Sequence, residues 1–281
     1  MILVRKASGE EEPFDSHKLE GSLRNAGVGD DIIGEIITDI TEWIFPGVTT
    51  KKIYSRAFQL LKRIKGISAI RYRLKQSMLE MGPTGYPFEH FIGKIFETQG
   101  YQVKTGQVLE GMCVTHEMDV IATGKEVQHL VECKYGQDQG KYISVQTPLY
   151  VRSRVNDIIE RYRKSGKYEG YSFTGWVVTN TRFSADAIKY AECSGLKLMS
   201  WDYPGGNSLR EIVERERIYP VTALTKLTIR EKQQLMEKGI VTSEQLLGNL
   251  EVLDSIEFRH SRSTALLREL NDIASLPVIN R

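Results

Sequence analysis

The sequence predicts a multidomain chain of α/β and α+β class, and three observations carry that prediction. Two largely apolar stretches, Glu117 to Thr123 and Val127 to Lys134, read as paired strands that bear carboxylates. The front of the chain reads strand, turn, strand and then helices. Residues 209–281 carry leucines at helical spacing. A length of 281 residues leaves room for two or three domains. The expected division is 1–82, 83–208 and 209–281.

Ile2 to Lys6 is the first predicted strand, and Ser8-Gly9 is a turn signal. Pro13-Phe14-Asp15 leads into a helix around Lys18 to Leu23. From Asp31 to Phe45, Ile32, Ile33, Ile36, Ile37, Ile40 and Ile44 recur three and four apart, the period of a one-faced helix. Pro46-Gly47 breaks it, and Thr50 opens a third helix by capping. No acidic residue lies between Ile44 and Leu79, whereas Lys51, Lys52, Arg56, Lys62, Arg63, Lys65, Arg71, Arg73 and Lys75 are basic. A block of one sign calls for a polyanion or a phosphate group as partner. Val4-Arg5-Lys6, Gly9, Pro13-Phe14-Asp15, Lys18-Leu19, Thr50 with Ile53-Tyr54, and Ala69-Ile70-Arg71-Tyr72-Arg73 resemble the ATP-cone, a regulatory nucleotide-binding domain. That resemblance implies a small β-hairpin plus helices holding ATP or dATP as a regulatory ligand, and a homo-oligomer whose assembly responds to it. Val4, Arg5 and Lys6 would line the nucleotide, Lys18 would meet phosphate, and Thr50 and Tyr54 would stand near it. Ala7 departs from the basic residue that often follows in that family, which bears on phosphate affinity. No Gly-rich Walker loop is present, so ATP hydrolysis is not implied. The competing reading is a small α+β domain with a basic face and no ligand.

In the middle of the chain, Gly124-Lys125 supplies a two-residue hairpin turn between the two predicted strands. With that turn Asp119 lies opposite Leu130, and Glu132 is its diagonal neighbour on the same face, roughly 7–8 Å away at the backbone. Lys134 follows two residues after Glu132 and shares its face, because strand side chains alternate. Two carboxylates so placed can reach one Mg²⁺, whose oxygen ligands sit at about 2.0–2.1 Å. An acid-x-Lys triplet is common by chance, but Leu130-Val131-Glu132-Cys133 is an apolar strand interrupted by a carboxylate, and such strands rarely carry Glu without a use for it.

Residues from about Gly85 to Tyr203 resemble the Mrr-like restriction endonucleases, within the PD-(D/E)XK nucleases. The matching text is Gly85-Tyr86-Pro87-Phe88-Glu89-His90-Phe91-Ile92-Gly93-Lys94-Ile95-Phe96 as a first helix and Gly100-Tyr101-Gln102-Val103 as its exit and first strand. Asp119, Glu132 and Lys134 follow, then Gly175-Trp176-Val177-Val178-Thr179-Asn180, Ser184 to Ala191 and Leu196-Lys197-Leu198-Met199. Met118 stands where the family often has proline. The resemblance implies a mixed β-sheet flanked by helices and Mg²⁺- or Mn²⁺-dependent cleavage of DNA. Asp119 and Glu132 would hold the metal, Lys134 would orient the attacking water, and Glu89 would complete the acidic cluster through water; the alternative for Glu89 is a solvated helix residue. Gln146 and Tyr150 form Gln-x-x-x-Tyr at a helix start with Ser144 as N-cap and Pro148 in the first turn, similar to a motif of exonuclease-type members. Ordinary helix surface is the alternative. Arg152, Arg154, Arg161, Arg163, Lys164 and Lys167 read either as a track along a DNA backbone or as a solvated basic helix. His116, three residues before Asp119, reads as a bystander rather than a base.

The tail begins with a Pro-Gly-Gly-Asn-Ser loop and a short helix from Leu209 to Arg217. Leu224, Leu227, Leu235, Ile240, Leu246 and Leu247 then trace two helices around Lys238-Gly239-Ile240, with Ser243 capping the second. This resembles a helix-hairpin-helix module that grips DNA backbone; helical packing without DNA contact is the alternative. Net charge is only +2, so any nucleic-acid site must come from local clustering. Cys113, Cys133 and Cys193 have neither metal-ligand spacing nor the even count of a disulfide framework. No signal peptide and no apolar run of about 18 residues is present, and the expectation is a cytoplasmic protein with no membrane partner. The combined expectation is a nucleotide-regulated, metal-dependent endodeoxyribonuclease suited to restriction or phage defence. Its rival is a catalytically silent, nuclease-fold DNA-binding regulator that senses ATP or dATP.

Overall fold

Short alternating strands and a stripe of isoleucines build the front of the chain in the computed structural model, which describes residues 2–6, 8–64, 66–138, 140–166 and 168–276. Ala7, Lys65 and Lys167 lie outside the described residues. Contacts divide the chain into two compact units, Met1–Lys75 and Gln76–Arg281. In the first, β1 (Leu3–Arg5) pairs antiparallel with β2 (Glu11–Pro13), and Val4 turns inward. Asp15 caps α1 (Ser16–Asn25) by accepting the His17 N–H, which satisfies one of the free donors of the first turn. On α2 (Asp30–Trp43), Ile33, Ile36 and Ile40 form the buried stripe that their spacing predicts. α3 (Thr50–Ile64) is capped one residue earlier than expected: Thr49 Oγ1, not Thr50, accepts the Lys52 N–H. Ala57, Phe58 and Leu61 of α3 close the core against Leu23 and Ile36. α4 runs Gly66–Leu79.

The second unit is ordered around a five-stranded sheet. Its strands are β3 (Gln102–Glu110), β4 (Thr115–Thr123), β5 (Val127–Lys134), β7 (Ser172–Thr179) and β9 (Lys197–Met199), in that spatial order. β3, β4 and β5 are antiparallel, whereas β5, β7 and β9 are parallel. Parallel neighbours need crossovers, and α6 (Gln146–Ser165) and α7 (Ala185–Ser194) supply them. Val151, Val155 and Ile158 of α6 and Ala187 and Ala191 of α7 pack on the face bearing Ile121, Leu130, Val177 and Leu198. Gly175 is required there, because a Cβ would come within 2.7 Å of Leu196 and 3.0 Å of Val155. α5 (Tyr86–Thr98) buries Phe88, Phe91, Ile92, Ile95 and Phe96, and the Phe96 ring meets His129 and Trp176, which alternate to the other face. The short strands β6 (Tyr142–Ile143) and β8 (Arg182–Phe183) pair beside this sheet. The outcome is a mixed sheet flanked by helices, as the sequence predicts.

The β4–β5 turn differs from expectation. Gly124 donates to the Val127 carbonyl and Thr123 pairs with Gln128, so Lys125-Glu126 makes the turn. Gly124 serves close packing instead: a Cβ would meet Val127 at 3.0 Å and the Tyr101 ring at 3.2 Å. The register moves with it. Ile121, not Asp119, opposes Leu130, and extending the same register sets Asp119 against Glu132.

Four helices follow: α8 (Leu209–Glu216), α9 (Ile229–Glu237), α10 (Ser243–Gly248) and α11 (Ser263–Ala274). Capping boxes open the first three through Ser208–Glu211, Thr228–Glu231 and Thr242–Gln245, so Thr242 rather than Ser243 caps α10. Gly239, at φ +78°, turns the chain out of α9. Tyr219, Val221, Leu224 and Leu235 are fully buried, and Thr222 donates to the Ser77 carbonyl at 2.8 Å. The three cysteines are free. Among the described residues no helix is long and apolar enough to cross a membrane.

Candidate active site

Glu132 is 3% exposed in a strand whose neighbours Leu130 and Val131 are fully buried. A charge so placed needs hydrogen-bonding counter-charges, since desolvation would otherwise outweigh what it contributes. Three donors meet it. Lys134 Nζ lies 2.6 Å from Oε1, the Tyr150 hydroxyl 2.5 Å from the same oxygen, and Arg154 Nη1 2.6 Å from Oε2. Tyr150 and Arg154 stand one turn apart on α6 and therefore share a face. Their groups also touch, with Arg154 Nη1 2.6 Å from the Tyr150 oxygen. Arg154 Nη2 donates to the Glu117 carbonyl of β4.

Asp119 sits where the β4–β5 ladder stops, after Val120 and Val131. Its Oδ2 accepts the Cys133 N–H at 2.6 Å, so the side chain takes the place of a ladder carbonyl. Burial pushes the Asp119 carboxyl up to about 6, helped by the Glu132 charge and opposed by the Cys133 N–H, Lys134 and Arg154. Glu89, in the first turn of α5, is raised to about 7 by burial, then by the charges of Asp119, Glu117 and Glu132, with Lys134 opposing. Burial alone would lower the Lys134 ammonium, but the bond and charge of Glu132 outweigh it and its pKa lies above the ordinary lysine value.

The hairpin thus brings Asp119, Glu132 and Lys134 together, and Glu89 is coupled to them through charge. Among the described residues, no three His, Cys, Asp or Glu side chains form a group that could hold a metal ion. The donor set fits a smaller demand. The Glu132 charge adds to the cost of ionising Asp119, a condition a hard divalent cation relieves, and Mg²⁺ needs only one or two protein carboxylates.

Other expected residues fall elsewhere. Gln146 is exposed at the first position of α6 and has no hydrogen bond to this cluster. Ser144 does not cap α6; Val145 holds the cap position without a side-chain bond, and Pro148 occupies the first turn, where its missing N–H costs nothing. His116 Nε2 lies 2.7 Å from Asp157 Oδ2, and Asp157 also accepts the Cys113 and Val114 N–H groups, so Asp157 pins the loop to α6 and the histidine ties β4 to the same carboxylate. Arg154 leaves the expected basic track for the cluster, and Arg161 is paired with Glu110. Arg154 itself was missed as a cluster residue; its four-residue spacing from Tyr150 was the available signal.

In the first unit, Val4, Lys18, Thr50 and Tyr54 line one pocket of about 190 Å³ with Glu12, Phe14 and Tyr72. Tyr54 stacks on Tyr72 at 4.6 Å and donates to its carbonyl. Arg5 and Lys6 are not in the lining. Lys6 pairs with Glu10 and Glu12, and Lys18 with Glu12.

Comparison with known proteins agrees with the mixed sheet. Residues 81–203 match the family described as Restriction endonuclease, and residues 219–274 match the one described as AF1548-like, C-terminal. A protein of Archaeoglobus fulgidus described only as uncharacterized is 30% identical over 151 residues, 53% of this chain and 80% of that protein. The crystal structure titled Protein of Unknown Function AF1548 superposes with a TM-score of 0.56 at 26% identity, covering 69% of this chain and all of that one. The chain therefore belongs to the family of this archaeal protein, with a restriction endonuclease domain at 81–203 followed by an AF1548-like C-terminal domain.

Proposed function

We propose that the chain is a divalent-metal-dependent deoxyribonuclease that hydrolyses DNA phosphodiester bonds at the Asp119–Glu132–Lys134 cluster. The observation that carries this is the convergence of a buried carboxylate, a half-buried one and a lysine on β4 and β5, inside the stretch that matches the restriction endonucleases. Asp119 and Glu132 would hold the cation, with Glu89 acting on it through water. When bound, the ion supplies an activated water and neutralises charge on the phosphate. The Lys134 ammonium, kept protonated by Glu132, is a donor for the attacking water and for a phosphate oxygen. Tyr150 and Arg154 hold the Glu132 carboxylate in one orientation. The test is incubation with supercoiled plasmid and single-stranded DNA in Mg²⁺ or Mn²⁺, with EDTA, Asp119→Asn and Glu132→Gln as controls. Cleavage that persists in EDTA, or in both variants, would sink the reading.

The rival is a silent DNA-binding regulator. One observation favours it: both Glu132 oxygens are occupied by protein donors. DNA binding by the wild type with no cleavage in either metal would select it.

We further propose that the first unit is an ATP-cone that binds ATP or dATP without hydrolysing it. Support comes from the pocket shared by Val4, Lys18, Thr50 and Tyr54. Its 190 Å³ is below the roughly 300–1,000 Å³ of common ligand sites, so it suits a base with the phosphates outside. Lys6 and Lys18, now shared by Glu12, are the cations a triphosphate would draw away.

A further inference from the structure

Both Glu132 oxygens accept hydrogen bonds from protein groups, and the one donor on Oε2 is a guanidinium. Arg154 reaches it from α6 with its side chain only 17% exposed. Its second nitrogen is anchored on the Glu117 carbonyl, two residues before Asp119 on the neighbouring strand. Its guanidinium carbon lies 5.3 Å from the centre of the Tyr150 ring, and Tyr150 holds the other Glu132 oxygen. A surface arginine tracking a DNA backbone would not be tied at three points below the surface. With both carboxyls ionised, Asp119, Glu132, Lys134 and Arg154 sum to zero, and Glu89 adds a negative charge where it ionises. Without Arg154 the cluster would be one charge more negative.

We propose that Arg154 is a positioning residue that acts as an internal counter-cation: it stands on Oε2, the less occupied Glu132 oxygen, and a divalent ion held by that oxygen would compete with the Arg154–Glu132 bond. The proposal rests on the metal site of the proposed function. The arginine keeps the cluster assembled and offsets one of its negative charges without metal, and it lowers divalent affinity at the same time. Removing its charge should therefore strengthen metal binding while loosening Glu132, a combination that a merely structural residue would not produce.

The experiment is calorimetric titration of Mn²⁺ into the full chain without DNA, for wild type, Arg154→Gln and Arg154→Lys. Arg154→Gln should bind Mn²⁺ about tenfold more tightly or better, the scale set by removing a unit charge a few ångströms away at a partly screened site. Arg154→Lys should stay near wild type because it keeps the charge. Equal or weaker affinity in a folded Arg154→Gln overturns the proposal and leaves the nuclease reading standing. No Mn²⁺ uptake by any of the three overturns both. Should Arg154→Gln fail to fold, Mg²⁺ titration of the wild type followed at the Arg154 Nε–H resonance decides. A shift that saturates with Mg²⁺ supports displacement, and a resonance unmoved at saturating Mg²⁺ overturns it.

Discussion

Glu132 illustrates how one side chain sets the terms for its neighbours. Replacing it with alanine would leave Arg154, at 17% side-chain exposure, without its anion, while Lys134, at 35%, keeps access to water, so the cost falls short of the roughly 3–5 kcal/mol of a fully buried pair. Glu132→Ala is therefore expected to melt several degrees below wild type, and Glu132→Gln, which keeps the side-chain volume and one acceptor oxygen but turns its amide nitrogen toward a donor, to fall between the two. Matching melts for the two variants would mean the cations find other partners. The raised carboxyls give a pH signature. Asp119 at about 6 and Glu89 at about 7 both lie above their ordinary values. Groups raised on folding contribute stability that is complete below the ordinary carboxylate range and is lost as pH rises through the folded value. Metal-free protein should lose that contribution between about pH 4 and pH 7, and Glu89→Gln should lose less of it. Thermal melts of both proteins across that range test this; parallel curves would remove Glu89 from the cluster. Asp119, Glu132 and Lys134 were legible in the sequence because a carboxylate inside an apolar strand is rare. Arg154 was not, because within a run of basic residues only its four-residue spacing from Tyr150 marks it as the one that turns inward.

Turns and caps mark where reading by element succeeds and where it slips. The strands from Glu117 and Val127 exist as predicted, yet Gly124 was assigned to the turn when its missing Cβ is needed under Tyr101. Thr49 and Thr242 each cap a helix one residue ahead of the expected Thr50 and Ser243, since adjacent hydroxyls are equivalent in sequence. The isoleucine stripe of α2 was legible because its period admits one face. In the tail, Val221 and Leu224 are buried and Thr222 bonds Ser77, so deleting it would open the core. Point changes test its DNA contact more cleanly. A pocket of about 560 Å³ is lined by Arg230, Arg259 and Arg262 beside Glu231 and Glu257. The glutamates already pair with Arg262 and Arg230, which leaves Arg259 with no ion-pair partner among the described residues. Arg230→Ala with Arg259→Ala should weaken DNA binding and reduce the slope of log affinity against log salt by about two. An unchanged slope, by titration at several salt concentrations, would leave the tail as a packing element.

At the scale of the whole molecule, a net charge of +2 means that attraction to DNA depends on where the cations stand. The front unit adds a second expected ligand. ATP or dATP should give a heat of binding that Lys6→Ala with Lys18→Ala reduces, and light scattering should report a change of assembly with nucleotide. Linkage makes the effect reciprocal, and a coupling of about 1–3 kcal/mol is enough to be seen. No heat with either nucleotide removes the ligand; binding without change in mass or cleavage rate keeps the ligand and removes the regulation. The nuclease cluster is the central claim, and Lys134 tests it most directly because its ammonium is the group expected to face both water and phosphate. The measurement is the rate of supercoiled plasmid cleavage in Mg²⁺ or Mn²⁺ by wild type and by Lys134→Ala. Wild type should cut, EDTA should stop it, and Lys134→Ala should be slower by on the order of 10²–10³-fold, the loss typical of one charge-stabilising donor. Cleavage by Lys134→Ala at the wild-type rate would contradict the account.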